Sequence, residues 1–166
     1  MIFSFFHSGE GLAVAVALED AGKFAEAATS YRAILAAHPN STLGWTNLGN
    51  AESQLGRTKE AEDAFRKALA IDASSRDAMN NLAWLLFQQK RLNEAETFAR
   101  KAVAQKGPDL YLVLDTLARI LAAEGSCAEA ATTFKQAIDS VPATRTTERA
   151  QIESGMAEAS RTCKSS

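Results

Sequence analysis

The chain has 166 residues, of which 46% are hydrophobic and 23% charged, a balance typical of a soluble globular protein. Alanine supplies 33 residues against 9 glycines and 3 prolines, which favours helix and excludes an all-β fold. The 18 basic and 20 acidic residues nearly cancel, so there is no excess of positive charge to bind nucleic acid.

Residues 1–7 form an apolar leader that contains three phenylalanines. It differs from a secretory signal, because no Lys or Arg precedes Lys23 and because Glu10 interrupts the apolar run. The small residues at 15–17 would suit a cleavage site, so a signal remnant stays open as an alternative. We expect the leader either to cap the first helix pair or to mediate self-association. No apolar run reaches the roughly 20 residues that a membrane span requires.

Small and apolar residues recur along the chain with a period of 34. Ala27, Ala61 and Ala95 follow this spacing, and one extra residue before the fourth copy moves the next member to Ala130. Within each copy the apolar residues follow a helical spacing, which a short break such as the one at Gly56 interrupts once. Each copy is therefore predicted to be a helix, a tight turn and a second helix.

Longer breaks separate the copies, and each combines a helix-stopping residue with capping side chains. These breaks lie at 38–41, 72–75, 106–109 and 141–142. The second copy carries a Trp, Leu-Gly, Ala, Phe, Ala pattern at Trp45, Leu48, Gly49, Ala61, Phe65 and Ala68. In the first copy Val14 and Ala15 replace the Leu-Gly pair. The pattern resembles the tetratricopeptide repeat (TPR).

This resemblance implies an all-α fold, a right-handed α-solenoid of four helix-turn-helix (TPR) repeats with a C-terminal capping helix. The repeat region is predicted over 8–145, with repeats at 8–41, 42–75, 76–109 and 111–144. Over 146–162 the apolar residues Ile152, Met156 and Ala159 form a narrow stripe, which predicts the capping helix. Residues 163–166 are predicted to be a tail.

Small residues occupy the positions where paired helices should cross, namely Ala15, Gly49, Ala83 and Ala118. A leucine in place of Gly49 is expected to overpack such a crossing. The turn inside a repeat is expected to need a left-handed residue, supplied by Gly22, Gly56 and Gly125. Lys90 takes the same place in the third repeat, at an expected cost of about 1 kcal/mol.

The two cysteines should lie at the same edge of the last repeat. Cys127 begins the second helix of that repeat, and the capping helix, which runs antiparallel to it, ends near Cys163. Two readings stay open. Cys127 fills an apolar position equivalent to Phe24 and Leu92, and Cys163 is a loose tail residue. Alternatively the two form a disulfide that closes the cap and stabilises it by roughly 3–4 kcal/mol. A disulfide would indicate the periplasm or another exported location, and otherwise the cytoplasm is the default expectation.

No arrangement of residues in the sequence predicts catalysis. His7 and His38 have no nucleophile in a recognisable motif beside them. The segment 9–11 resembles a dinucleotide loop but follows no predicted strand and lacks a third glycine. The two His and two Cys stand at no zinc-ligand spacing. We therefore expect a protein that is not an enzyme and that has no cofactor and no metal.

The resemblance implies that the first helices of the repeats line a concave groove, which would be the binding surface. Helical spacing places the following residues in it: Leu43, Thr46, Asn47, Asn50, Asp77, Asn80, Asn81, Trp84, Phe87, Leu112, Asp115 and Arg119. The four asparagines can pair with a peptide backbone as donor and acceptor. Trp84 and Phe87, one turn apart, would add an apolar pocket. The alternative is that Asn47 and Asn81 brace neighbouring helices and that Trp84 packs between repeats.

The expected function is that of an adaptor or scaffold, which binds an extended peptide or helix of a partner protein in this groove. The family's receptors for chaperone tails clamp a terminal carboxylate with Lys, Arg and Asn, whereas this groove has Leu12, Val16 and one cation, Arg119. We therefore expect a ligand with apolar side chains and a basic residue facing Asp77 or Asp115. The alternative function is self-assembly into a homo-oligomer through the leader or the convex face.

Overall fold

A computed structural model of the protein describes residues 8–164, and the leader at 1–7 lies outside the described residues. Within that range the chain forms nine α-helices and no strand. They are α1 (Ser8–Asp20), α2 (Phe24–Ala37), α3 (Thr42–Gln54), α4 (Thr58–Ile71), α5 (Arg76–Gln88), α6 (Leu92–Ala104), α7 (Leu110–Ala123), α8 (Cys127–Ser140) and α9 (Thr146–Lys164). The prediction of an all-α helical repeat is confirmed.

The chain divides into two compact units, and the division falls inside α5, after Asn81. In the first unit α1 packs on α2, α2 on α3, and α3 on α4. The core of this unit is built from alanines and a few large side chains, among which Tyr31, Leu35 and Leu48 are buried. Half-buried Trp45 packs against the core, and its indole Nε1 donates a 2.8 Å hydrogen bond to the Pro39 carbonyl.

The crossing of α3 and α4 depends on the absence of a side chain at Gly49. A Cβ atom built on Gly49 would lie 2.5 Å from Cε1 of Phe65, inside van der Waals contact. Phe65 is itself buried, with a relative exposure of 1%. The aromatic ring therefore occupies the volume that the glycine leaves, as the spacing of small residues predicted.

In the second unit α7 is the most deeply buried helix, and it packs against α6, α8 and α9. Tyr111, Leu114 and Phe134 form the core of this unit with Ile152, which α9 contributes. Arg149 fixes the same end of α9, because its Nη1 donates a 3.2 Å hydrogen bond to the Ile138 carbonyl. The amphipathic stripe at 146–162 therefore does cover the last repeat, and the helix continues beyond the predicted end at 162.

The turns inside the repeats use the left-handed backbone conformation. Gly22, Gly56 and Gly125 have φ angles of 72°, 71° and 85°. Lys90 takes the same conformation with φ 62°, although its Cβ disfavours it. Among residues 8–164, Asp109, before α7, is the other non-glycine residue with a positive φ, at 56°. It lies next to residue 110, the extra residue between the predicted third and fourth repeats.

One column of the repeat departs from expectation in the first helix. Leu48, Leu82 and Leu117 are buried, whereas Val14, aligned with them, is 56% exposed. Ala15 beside it is fully buried and keeps its role at the helix crossing. The departure lies in the first copy, which also matches the repeat pattern least well.

Replacing Gly49 by leucine is expected to lower the free energy of unfolding by about 1–3 kcal/mol, because Phe65 already fills the space that the new side chain needs. Thermal unfolding followed by circular dichroism measures the effect. Gln54→Leu, at an exposed position of the same helix, is the control and should leave the melting temperature nearly unchanged. An equal effect of the two substitutions would place the helix crossing elsewhere.

Replacing Lys90 by glycine is expected to stabilise the protein by about 1 kcal/mol, because glycine adopts the left-handed conformation without a Cβ penalty. The matched control is Lys135→Gly, at an exposed position inside α8. There the same substitution should destabilise by roughly 0.5–1 kcal/mol, because glycine weakens a helix interior. Urea unfolding of the two variants should therefore show shifts of opposite sign.

Candidate partner-binding surface

The predicted binding residues of the first unit differ in their availability. Leu43 is 53% exposed, and the Asp77 side chain is also exposed. Thr46 is buried, and its hydroxyl donates a 2.9 Å hydrogen bond to the Thr42 carbonyl of its own helix. The prediction that Thr46 faces a ligand is therefore wrong, because the residue lies on the side of α3 that packs into the core.

The asparagines of this unit bind other residues of the protein. Nδ2 of Asn81 donates a 2.8 Å hydrogen bond to Oδ1 of Asn50, which ties α5 to α3. Asn47 lies near enough to the Tyr31 hydroxyl to lower the pKa of that phenol. In contrast, the Oδ1 atom of Asn80 is buried and has no hydrogen-bond partner among residues 8–164. Bracing of neighbouring helices, the alternative for Asn47 and Asn81, describes the Asn81 contact, which engages the Nδ2 atom of Asn81 and the Oδ1 atom of Asn50.

The Tyr31 hydroxyl joins α2 to α1. It donates a 2.8 Å hydrogen bond to Oε2 of Glu19, which lies near the end of α1. Burial, together with the acceptor Glu19, raises the pKa of this phenol above its usual value, so the hydroxyl stays protonated. The residue is a structural link between α1 and α2.

The predicted aromatic pair of the second unit lies at the surface. Trp84 is 37% exposed, and its ring centroid lies 5.3 Å from that of half-buried Phe87. Nζ of Lys90 lies 5.8 Å from the Phe87 centroid, at the edge of the pair. Trp84 has not turned into the core, so its indole surface is available to a ligand.

A cavity of about 410 Å³ opens beside these rings, and we call it the aromatic pocket. Trp84, Phe87 and Lys90 form one side of it. The floor belongs to α7, with Arg119, Ala122 and Ala123. The capping helix α9 also lines the pocket, with Gly155, Glu158, Ala159 and Thr162. Sequence spacing predicted the two rings but not the wall that α9 contributes.

Arg119, the one cation predicted in the groove, is already paired. Its Nε donates a 2.8 Å hydrogen bond to Oδ2 of Asp115, one turn earlier in α7. Burial raises the pKa of the Asp115 carboxyl in spite of this pair. The guanidinium also fills the space over Gly155, where an added Cβ would clash with Nη2. The two charges therefore offset each other, and neither is an open contact for a charged ligand.

Leu112 completes the predicted set and is 47% exposed on α7. Of the twelve predicted residues, those with large exposed or half-exposed apolar surface are Leu43, Trp84, Phe87 and Leu112. The polar members are mostly occupied by one another or by the core. The apolar residues of the predicted set are thus the ones whose side chains are exposed at the surface.

A buried charge in the first unit was missed by the sequence reasoning. Glu52 is 1% exposed, and its carboxylate binds Arg32 of α2 and Nη1 of Arg57, the latter at 3.2 Å. The signal was present, because Glu52 continues the apolar spacing of Trp45 and Leu48 along α3. A buried carboxylate at an apolar position requires cationic partners. The two ion pairs of Glu52 link α3 to α2 and to the turn before α4.

The two cysteines are joined in the structure. Cys127, the first residue of α8, and Cys163, in the last turn of α9, form a disulfide with Cα atoms 5.8 Å apart and a sequence separation of 36. Cys163 therefore belongs to the capping helix and not to a loose tail. Of the two readings of the cysteines, the structure contains the disulfide.

Over the described range, 8–164, no cluster of three or more His, Cys, Asp or Glu could hold a metal ion. None of the helices in that range combines the length and the apolar character needed to cross a membrane.

Paired helices with small residues at their crossings and left-handed turns between them define a TPR protein. Residues 12–142, most of the chain, match the family model of the cilia and flagella-associated protein 70 middle TPR-like domain. The chain belongs to this TPR-like family. Proteins of the TPR family are generally interaction modules without catalytic activity.

Solved TPR structures share the fold. PilF of Pseudomonas aeruginosa has a TM-score of 0.76 and 19% identity, with 94% of this chain and 74% of that chain covered. YrrB, described as a TPR protein with an unusual peptide-binding site, has a TM-score of 0.66 and 22% identity, with 80% and 68% covered.

The first TPR of Spaghetti (RPAP3), solved bound to the HSP90 peptide SRMEEVD, has a TM-score of 0.65 and 22% identity, with 69% of this chain and 90% of that chain covered. At such identities the similarity shows the fold alone. No curated protein matches the sequence.

Proposed function

We propose that the protein is a non-catalytic adaptor that binds an extended peptide or a helix of a partner protein, with the aromatic pocket as the main anchor. The observation that carries the proposal is the exposure of Trp84, 37%, beside Phe87 at the mouth of a cavity of about 410 Å³. Two similar TPR structures support the same class of function: YrrB, with its unusual peptide-binding site, and the first TPR of Spaghetti (RPAP3), bound to an HSP90 peptide.

The anchor is expected to take an apolar or aromatic side chain. The volume lies within the range of about 300–1,000 Å³ typical of ligand pockets, so one large side chain fits. Aromatic walls favour aromatic ligands, because offset or edge-to-face stacking adds to the burial of apolar surface. Trp84 is of the residue type that most often dominates interface energetics.

The charged residues near the pocket further limit the chemistry of the partner. Lys90 and Glu158 both line the aromatic pocket, while Arg119 is balanced by Asp115. A clamp for a terminal carboxylate needs several unpaired cations, so it is not part of the proposal. In the first unit Asp77 is exposed and favours a basic residue of the partner, as expected from the sequence. We expect affinities in the micromolar range, because a peptide that orders on binding loses entropy.

The alternative of self-assembly through the leader concerns residues that lie outside the described range, and it stays a prediction. Removal of residues 1–6 separates the two functions, because it should change oligomer size only if the leader mediates assembly. The absence of catalysis and of nucleic-acid binding likewise belongs to the proposal.

A library of random peptides displayed on phage and selected on the wild-type protein is expected to enrich sequences with an aromatic or large aliphatic residue. Trp84→Ala should weaken binding of the enriched peptides by roughly 30-fold, the loss expected of a residue at the centre of an interface. Isothermal titration calorimetry with synthetic peptides measures this difference.

Ile71→Ala is the matched control, because Ile71 is an exposed apolar residue at the end of a second helix, outside the predicted surface. It should bind the peptides as the wild type does. Selected peptides that bind the Trp84 variant with unchanged affinity would remove the aromatic pocket from the proposed function.

The disulfide also bears on the compartment. Disulfides persist in oxidising environments and are rare in the cytosol of mesophiles, so we propose that the protein works in an oxidising compartment such as the periplasm. With a sequence separation of 36, the cross-link is worth roughly 3–4 kcal/mol in the chain-entropy model.

Protein isolated from its native source and treated with iodoacetamide is expected to gain no carbamidomethyl group before reduction and two after it. Intact mass spectrometry distinguishes the two states, with alkylation during lysis to prevent oxidation in air. Two modified cysteines before reduction would restore the cytoplasm as the expected location.

A further inference from the structure

We propose that the Cys127–Cys163 disulfide builds the binding site, because it holds the last two turns of α9 in place as one wall of the aromatic pocket. The pocket is then complete in the oxidised protein and opens when the disulfide is reduced. This inference deepens the proposed function and rests on it for its relevance to ligand binding.

The two halves of α9 are attached to the unit in different ways. The first half carries Ile152, which is buried in the core with a relative exposure of 2%. It also carries Arg149, which donates a hydrogen bond to the Ile138 carbonyl. Gly155 is buried against the guanidinium of Arg119. This half is anchored by apolar burial and close packing that do not involve sulfur.

The second half has little apolar burial. Beyond Met156, the residues at 157, 158 and 160–162 are exposed, and Ala159 and Cys163 are half-buried. Alanine buries only a small side chain, so the hydrophobic effect contributes little to holding these turns. The covalent bond from Cys163 to Cys127 on α8 is therefore the strongest attachment of this half.

The weakly packed half also contributes most of the α9 residues that line the aromatic pocket. Glu158, Ala159 and Thr162 line it together with Trp84 and Phe87, and Gly155 of the first half adds to them. On its other side the same stretch borders an apolar cavity of about 550 Å³ next to Phe134, and Ala159 lines both. A stretch of helix that borders a cavity on each side has little apolar packing to keep it in place once the cross-link is cut.

Reduction breaks the single S–S bond. A dithiol reductant supplies two electrons and two protons, Cys127 and Cys163 each become a thiol, and the reductant becomes a disulfide. The first half of α9 keeps its anchors, so the expected response is local opening of residues 157–164 rather than unfolding of the unit. The aromatic rings then lose the part of the pocket wall that α9 contributes.

Hydrogen–deuterium exchange of the full chain, before and after treatment with dithiothreitol, tests the attachment. Amides of residues 157–164 should exchange at least roughly tenfold faster after reduction, while those of 146–154 keep their rates. Unchanged exchange at 157–164 after complete reduction would overturn the proposal. Faster exchange throughout 82–164 would overturn it as well, because the disulfide would then support the whole unit.

Fluorescence tests the pocket wall with a matched pair of variants, because the chain has two tryptophans. In Trp45→Phe the emission comes from Trp84, and its acrylamide quenching constant should rise by roughly half on reduction. In Trp84→Phe the emission comes from Trp45 in the first unit and should not respond. A quenching constant of Trp84 that does not change on reduction would contradict the proposal that α9 forms a wall of the pocket.

The full-length double variant Cys127→Ser, Cys163→Ser gives the same test without any reductant. It retains Ile152 and Arg149, and its Trp84 should be quenched as in the reduced full-length protein. These measurements need no peptide, so their outcome is independent of the proposed function. A selected peptide that binds oxidised and reduced protein equally would overturn the role of the disulfide in binding and would leave the adaptor function standing.

Discussion

Close approach of the two helices of a repeat is the constraint on which this structure depends. Where α3 crosses α4, the Phe65 ring occupies the position that any side chain on residue 49 would need. Ala15, Ala83 and Ala118 are fully buried at the equivalent positions of the other repeats. Helices with small residues at such points can pack at interior density around a few large rings. The outer surfaces are thereby free to vary, and binding can evolve there without disturbing the core.

The parts of the fold that depend on local chemistry could be predicted from the sequence. Glycines at 22, 56 and 125 predict left-handed turns. Lys90 takes the same conformation because the neighbouring helices follow the same chain path. The period of 34 places the helix crossings, and the stripe through Ile152 identifies the capping helix. These features repeat or have a clear periodicity, so one sequence contains several independent copies of the same signal.

The candidate site was predicted less completely, because side-chain pairing is not periodic. Helical spacing placed Thr46 on the binding surface, although its hydroxyl is satisfied by its own helix inside the core. It marked Asn50 and Asn81 as ligands for a peptide, whereas each is the other's partner. The wall that Glu158 and its neighbours add to the aromatic pocket could not be foreseen, since it requires knowing where the capping helix returns.

The disulfide has a consequence for biosynthesis. Cys127 and Cys163 are 36 residues apart, so the bond can close only after the stretch from the start of α8 to the last turn of α9 has been translated. Until then Cys127 carries an unpaired thiol. Cross-linking of this thiol to a second molecule is therefore a wrong pairing that the maturing protein has to avoid.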